Sequence, residues 1–152
     1  MDVVAAIQFQ INGLKTFENS IAKLIQEIIL DNESVIVELN SEEQLYEQGI
    51  NTYGVKISDY QPYTEVTIEE KKMKGQPTNR VTLRDEGDFE NSFSIRITST
   101  YFQIIAGDWK VEELTKKYGD EILGLTDENI LELSWQYIYP ELSRILKNYL
   151  GL

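Results

Sequence analysis

Two short runs constrain this chain most: Ser92–Thr98 (SFSIRIT) and Tyr101–Ala106 (YFQIIA). Each alternates β-forming apolar residues with polar ones, and only Ser99 and Thr100 part them. The pattern predicts a tight antiparallel hairpin. Phe93, Ile95 and Ile97 then share one face of the first strand, and Phe102, Ile104 and Ala106 one face of the second. That apolar face requires helices to cover it, because a two-stranded ribbon alone is marginal in water. Arg80–Arg84 (RVTLR) alternates in the same way and reads as a further short strand.

Helical periodicity lies on both sides of the hairpin. Phe17, Ile21, Leu24, Ile25, Ile28 and Ile29 recur at three-and-four spacing, which predicts a helix over about 16–31 with Thr16 as N-cap and Glu18 in its first turn. Residues 3–11, VVAAIQFQI, fit a short strand or an arm that packs on a neighbour. Residues 33–39 fit a strand or the start of a helix that ends at Gly49. The helix is favoured, because SEEQLYEQG is helix-forming and glycine suits a C-cap. Ser41 with Gln44 also matches a capping box for a second start. Short helices are expected at Glu65–Lys74 and at Lys110–Tyr118, the latter stopped by Gly119. Thr126 caps a last helical region carrying Ile130, Leu133, Ile138, Leu142, Ile145, Leu146 and Tyr149 on one face. Pro140 should kink or divide it near Tyr139. The expected fold is α+β: a small antiparallel sheet of about three to four strands against N- and C-terminal helices. It forms one domain over residues 1–152, with an arm at 1–12.

Composition removes much chemistry. There is no histidine and no cysteine. Ser-His-Asp and Cys-His nucleophile systems and His/Cys zinc sites are therefore impossible within the chain. An intracellular setting fits a cysteine-free chain best. MDVVAAIQFQ lacks the basic n-region of a secretory signal, and no apolar run approaches a membrane span. The formal net charge of −12 disfavours ordinary nucleic-acid binding.

Against that acidity, Lys71–Ile95 (KKMKGQPTNRVTLRDEGDFENSFSI) stands out. Lys71, Lys72, Lys74, Arg80 and Arg84 come first with no acid among them; Asp85, Glu86, Asp88 and Glu90 follow with no base. Gly87, between acids in a tight connection, is expected to adopt positive φ. The acidic run fails the twelve-residue frame of an EF-hand, and KGQPTNR lacks the Gly-Lys-Ser/Thr ending of a phosphate loop. No pair of carboxylates is singled out for glycoside hydrolysis. No catalytic, cofactor-binding or metal-binding residue is therefore assigned, and no cofactor. A basic segment beside an acidic one suits pairing with a neighbouring copy through a heterologous contact, the kind that closes into rings. Lys71, Lys72, Lys74, Arg80, Arg84, Asp85, Glu86 and Asp88 are the expected subunit or DNA contacts. Tyr53, Tyr60 and Tyr63, in the turn-rich loop 50–64, are candidate aromatic contacts or cover for the core edge.

From Leu39 to about Phe93 the chain resembles small minor structural proteins of tailed bacteriophages, of the neck and tail-completion type. The likeness rests on LNSEEQLYEQGIN, YQPYT and KKMKGQPTNRVTLRDEGDF followed by NSF, and more weakly on YGDEILGLTDENI. Such proteins often carry a Thr-Gly-hydrophobic turn and then a Ser, after an Arg-rich strand. The matching positions are Arg84, Glu86, Gly87, Phe89 and Ser92, with Glu86 where the family usually has Thr. The resemblance implies a non-enzymatic virion protein, made in the host cytoplasm, that forms a homo-oligomeric ring joining portal or head to tail. Its implied partners are portal, adaptor or tail proteins, with DNA passing nearby and no membrane. The competing reading of the acidity is a DNA mimic that blocks a host DNA-binding protein.

Overall fold

The computed structural model describes residues 2–152, which are 64% helical with one two-stranded antiparallel sheet. By contact they sort into two compact units. One holds the chain up to Asn32 together with Leu131–Leu152; the other is Glu33–Ile130.

The first unit is built on α1, Val3–Asp31. Of the two readings of 3–11, the strand is absent; those residues are the first turns of α1, and the arm at 1–12 is helical from Val3 (Met1 lies outside the described residues). Asp2 caps the helix by accepting a hydrogen bond from the Ala5 amide at 2.7 Å. Thr16 is therefore not a cap. It sits mid-helix, and its hydroxyl donates to the Asn12 carbonyl at 2.9 Å. The last helical region enters this unit through the end of α6 (Asp127–Leu133). It widens into a π-helical turn, Ser134–Ile138, and resumes as α7, Tyr139–Leu150. The division falls at Tyr139 as expected. Pro140 has no N–H to donate back along the helix and its ring crowds the preceding turn, which the wider π geometry accommodates. α7 packs on α1. Gly13 permits the approach: a Cβ there would lie 2.2 Å from the Tyr149 carbonyl oxygen. Phe17 meets the Tyr149 ring edge-on at 5.8 Å.

The second unit holds most of the buried apolar residues, among them Ile36, Leu45, Ile57, Val81, Phe89, Phe93, Ile104 and Ile122. α2 (Glu33–Glu38) runs into a π-helical segment, Leu39–Gln48, that ends at Gly49 with φ +65°. The helical reading of 33–49 holds. Ser41, the proposed second start, is instead buried inside this segment. Asn40 and Gln44 are also buried there and reach the stretch 122–129. Asn40 Nδ2 donates to the Gly124 carbonyl at 2.8 Å, and Gln44 Nε2 donates to it at 2.9 Å. Gln44 Oε1 accepts from the Thr126 amide at 2.8 Å and from Asn129 Nδ2 at 3.0 Å. Two elements distant in sequence are thus joined by amides that would be costly to bury unpaired.

α3 (Glu65–Met73) and α4 (Asp88–Asn91) lead to the hairpin, β1 (Phe93–Ile97) and β2 (Phe102–Ala106). Its register pairs Phe93 with Ala106, Ile95 with Ile104 and Ile97 with Phe102, so the expected apolar face is realised. The Ile95 amide donates to Glu33 Oε1 at 2.8 Å, and α2 packs against β1. α5 (Val111–Tyr118) ends at Gly119, as its sequence predicts. Arg80–Arg84 forms no strand, and the sheet has two strands where three to four were expected. Val81 and Thr82 are both buried, which breaks the two-residue period, and Leu83 takes φ +60°.

Candidate functional site

The residues that carry the charge pattern come together, and the oppositely charged groups meet within the chain. α3 is capped by Thr64, whose hydroxyl oxygen accepts from the Thr67 amide at 3.2 Å. Its last turn carries Lys71 and Lys72, where the helix dipole favours cations. Lys71 turns inward and is only 7% exposed. Its ammonium donates to Gln76 Oε1 at 2.7 Å and to the Arg84 carbonyl, and lies 5.5 Å from the centre of the Tyr63 ring. Lys74 pairs with Asp85 and, at 2.7 Å, with Glu86. Those two carboxylates hold the Lys74 ammonium well above its ordinary pKa, and Lys74 in turn lowers that of Asp85. Lys72 stays on the surface and pairs with Glu69 at 2.7 Å.

Arg84 is the centre of the cluster. Its guanidinium sits 4.1 Å from the centre of the Tyr46 ring and makes a two-pronged contact with Glu42, one prong at 3.2 Å. Its Nε lies 3.7 Å from Glu90 Oε1. Arg80 flanks the same ring at 5.9 Å and donates from Nε to the Tyr46 carbonyl at 2.7 Å. Glu90 is buried and neither carboxylate oxygen has a hydrogen-bond partner, so burial pushes its pKa up despite Arg84. Arg84 loses hydration by partial burial, but Glu42 more than compensates and its pKa rises.

Gly87 has φ +94°, as its place between acids predicts, and starts α4. Only Gly among the common residues adopts that conformation without strain. A pocket of about 200 Å³ opens beside this cluster, with Tyr63, Lys71, Leu83, Arg84 and Tyr118 in its wall. The three candidate tyrosines separate. Tyr53 is exposed, and Tyr60 is half-exposed with its hydroxyl accepting from Asn51 Nδ2 at 3.2 Å. Tyr63 turns inward, where its hydroxyl accepts from the Thr82 amide at 3.0 Å. Sequence reasoning missed Glu42 and Tyr46. They lie about forty residues before Arg84 on a helix whose composition is unremarkable for an acidic chain.

A different kind of surface lies on the first unit. Val3, Val4, Ile7, Phe9, Ile11, Leu14 and Ile21 of α1 are exposed, as are Leu131, Trp135 and Tyr139. The Trp135 and Tyr139 rings lie 5.2 Å apart on the helix surface. Among the described residues, no helix is long and apolar enough to cross a membrane. Neither a family model, nor a curated protein, nor a solved structure matches the chain.

Proposed function

We propose that this chain is a structural virion protein of a tailed bacteriophage: a subunit of a neck or tail ring that joins portal or head to tail by assembly. The observation that carries this reading is the unmatched apolar surface of the first unit. α1 has one buried residue, Ile28, and α7 has none. Aliphatic and aromatic side chains in such numbers are left in water only where another molecule covers them. The resemblance of residues 39–93 to neck and tail-completion proteins supplies the setting. Portal, adaptor or tail proteins are the heterologous partners. Lys72, the most exposed cation of the basic block, is assigned to contact with an acidic neighbour or passing DNA. The competing reading, a DNA mimic, gains nothing from the acids nearest the basic block, because Glu42, Asp85 and Glu86 are engaged by Arg84 and Lys74. The test is mass spectrometry of purified particles, in which the chain is expected in multiple copies. Its absence from intact particles would overturn the reading.

A further inference from the structure

We propose that the first half of α1 is a seam for α1 of a second copy, the two helices running antiparallel. The inference rests on the assembly reading above and assigns the α1 part of the exposed apolar surface to a second copy, which leaves Leu131, Trp135 and Tyr139 for the other virion proteins.

α1 carries two apolar stripes. One contains Gly13 and Phe17 and lies against α7. The other contains Val4, Ile7, Ile11 and Leu14, which are 40% to 77% exposed. At ~100° per residue the two stripes lie roughly a third of a turn apart, so α7 does not reach the second. Steps of three, four and three residues are the a and d positions of a heptad seam, whose occupant is another helix.

Charge selects which helix. Between Asp2 and Lys15 there is no charged residue, in a chain of net charge −12. Copies of the chain repel one another through most of their acids, but not through this stretch, and a strongly charged partner would find nothing here to pair with. Orientation follows from the ends of the neutral stretch. A parallel pair in register would set Glu18, the next residue on the stripe after Leu14, against its own copy. An antiparallel pair sets a against d: Val4 faces Leu14, and Ile7 faces Ile11. That register brings Lys15 beside the Asp2 end of the other helix and carries Glu18 past it. The contact is isologous and joins copies two by two, so it is a pairing contact separate from the heterologous contacts that close a ring.

Because the chain has no cysteine, single-cysteine variants report this contact directly. Ile7→Cys and Ile11→Cys proteins are mixed and oxidised after circular dichroism shows helix content unchanged. The mixed 7–11 disulfide is expected to outnumber both homodimers about tenfold, since a facing a–d pair brings the sulfurs within bonding reach. The random distribution, in which the mixed product is only about twice each homodimer, a dominant homodimer, or no disulfide-linked dimer would each overturn the proposal. In a protein without cysteines, Ile7→Glu with Ile11→Glu should weaken self-association in sedimentation by more than about tenfold. Unchanged self-association would overturn it as well. Both measurements use purified protein, so they can fail while the chain is still found in particles, and can succeed if it is not.

Discussion

The loop cluster around Arg84 and the outer stripe of α1 are opposite cases. The cluster is rich in charge, and its sequence advertises a contact with something else, yet Lys71, Lys74 and Arg84 find their partners inside the same chain. The stripe has no charge and a sequence that looks like ordinary core, yet it is left in water. The contrast teaches that segregated charge is not by itself a binding surface. An irregular segment such as 75–87 has few backbone ladders, so side chains must supply its hydrogen bonds, and Lys and Arg do that well. An amphipathic helix that is apolar beyond the face its neighbour covers has no such internal outlet.

The strongest way to break the comparison is Lys71→Glu. It would leave the Arg84 carbonyl and Gln76 without their donor and put an acid beside Asp85. A loss of about 3–5 kcal/mol in urea unfolding is expected, the cost of disrupting a buried charged group. Lys72→Glu, one residue away and exposed, should change stability by less than about 0.5 kcal/mol. Equal effects of the two changes would mean that Lys71 is not buried as described.

Gly13→Val tests the other region. The added side chain must push α7 away at Tyr149, and a loss of about 1–3 kcal/mol is expected from overpacking. The Arg84 cluster belongs to the other compact unit, so the costs of Gly13→Val and Lys71→Glu should add within about 0.5 kcal/mol in the double variant. A wild-type melting curve for Gly13→Val would contradict the close α1–α7 approach.

The smallest effect is expected at Glu90, and it depends on pH. Because burial raises its pKa in the folded state, the native protein holds that proton more tightly than the unfolded chain does. Its contribution is most favourable below the ordinary glutamate pKa of about 4.3 and becomes unfavourable as pH rises through the folded value. Glu90→Gln should match the wild type in acid and exceed it progressively toward neutral pH in urea midpoints. A difference that stays constant with pH would show that Glu90 is not the group responsible.

Local signals were legible where local physics decides. The hairpin, the Gly49 and Gly119 stops, the positive φ of Gly87 and the division near Pro140 all follow from turn chemistry or period. The first turns of α1 were not legible, because Val3, Val4, Ile7 and Ile11 are β-formers. Helix is imposed there by the Asp2 cap and by packing on α7 at Gly13, which a window around residue 7 does not contain. RVTLR misled for a related reason. Its alternation is real, but no strand lies beside it, and Thr82 bonds with Tyr63 while Arg84 is drawn to Glu42. The cluster's composition could be read from 71–90. Its closure could not, since Glu42, Tyr46 and Tyr63 come from other segments.

The pairing of α1 with α7 also has a bearing on the order of events during synthesis. α1 leaves the ribosome before α7, with all of Glu33–Ile130 made between them. Closing so long a loop costs entropy that only the finished contact repays. Until Tyr149 has been made, the Gly13 groove has nothing to receive, and the nascent chain carries both apolar stripes bare. The hairpin and its helices can condense in that interval from their own residues. A chain terminated before Tyr139 should thus emerge with a folded middle and an adhesive first helix, the form of this protein most prone to aggregate.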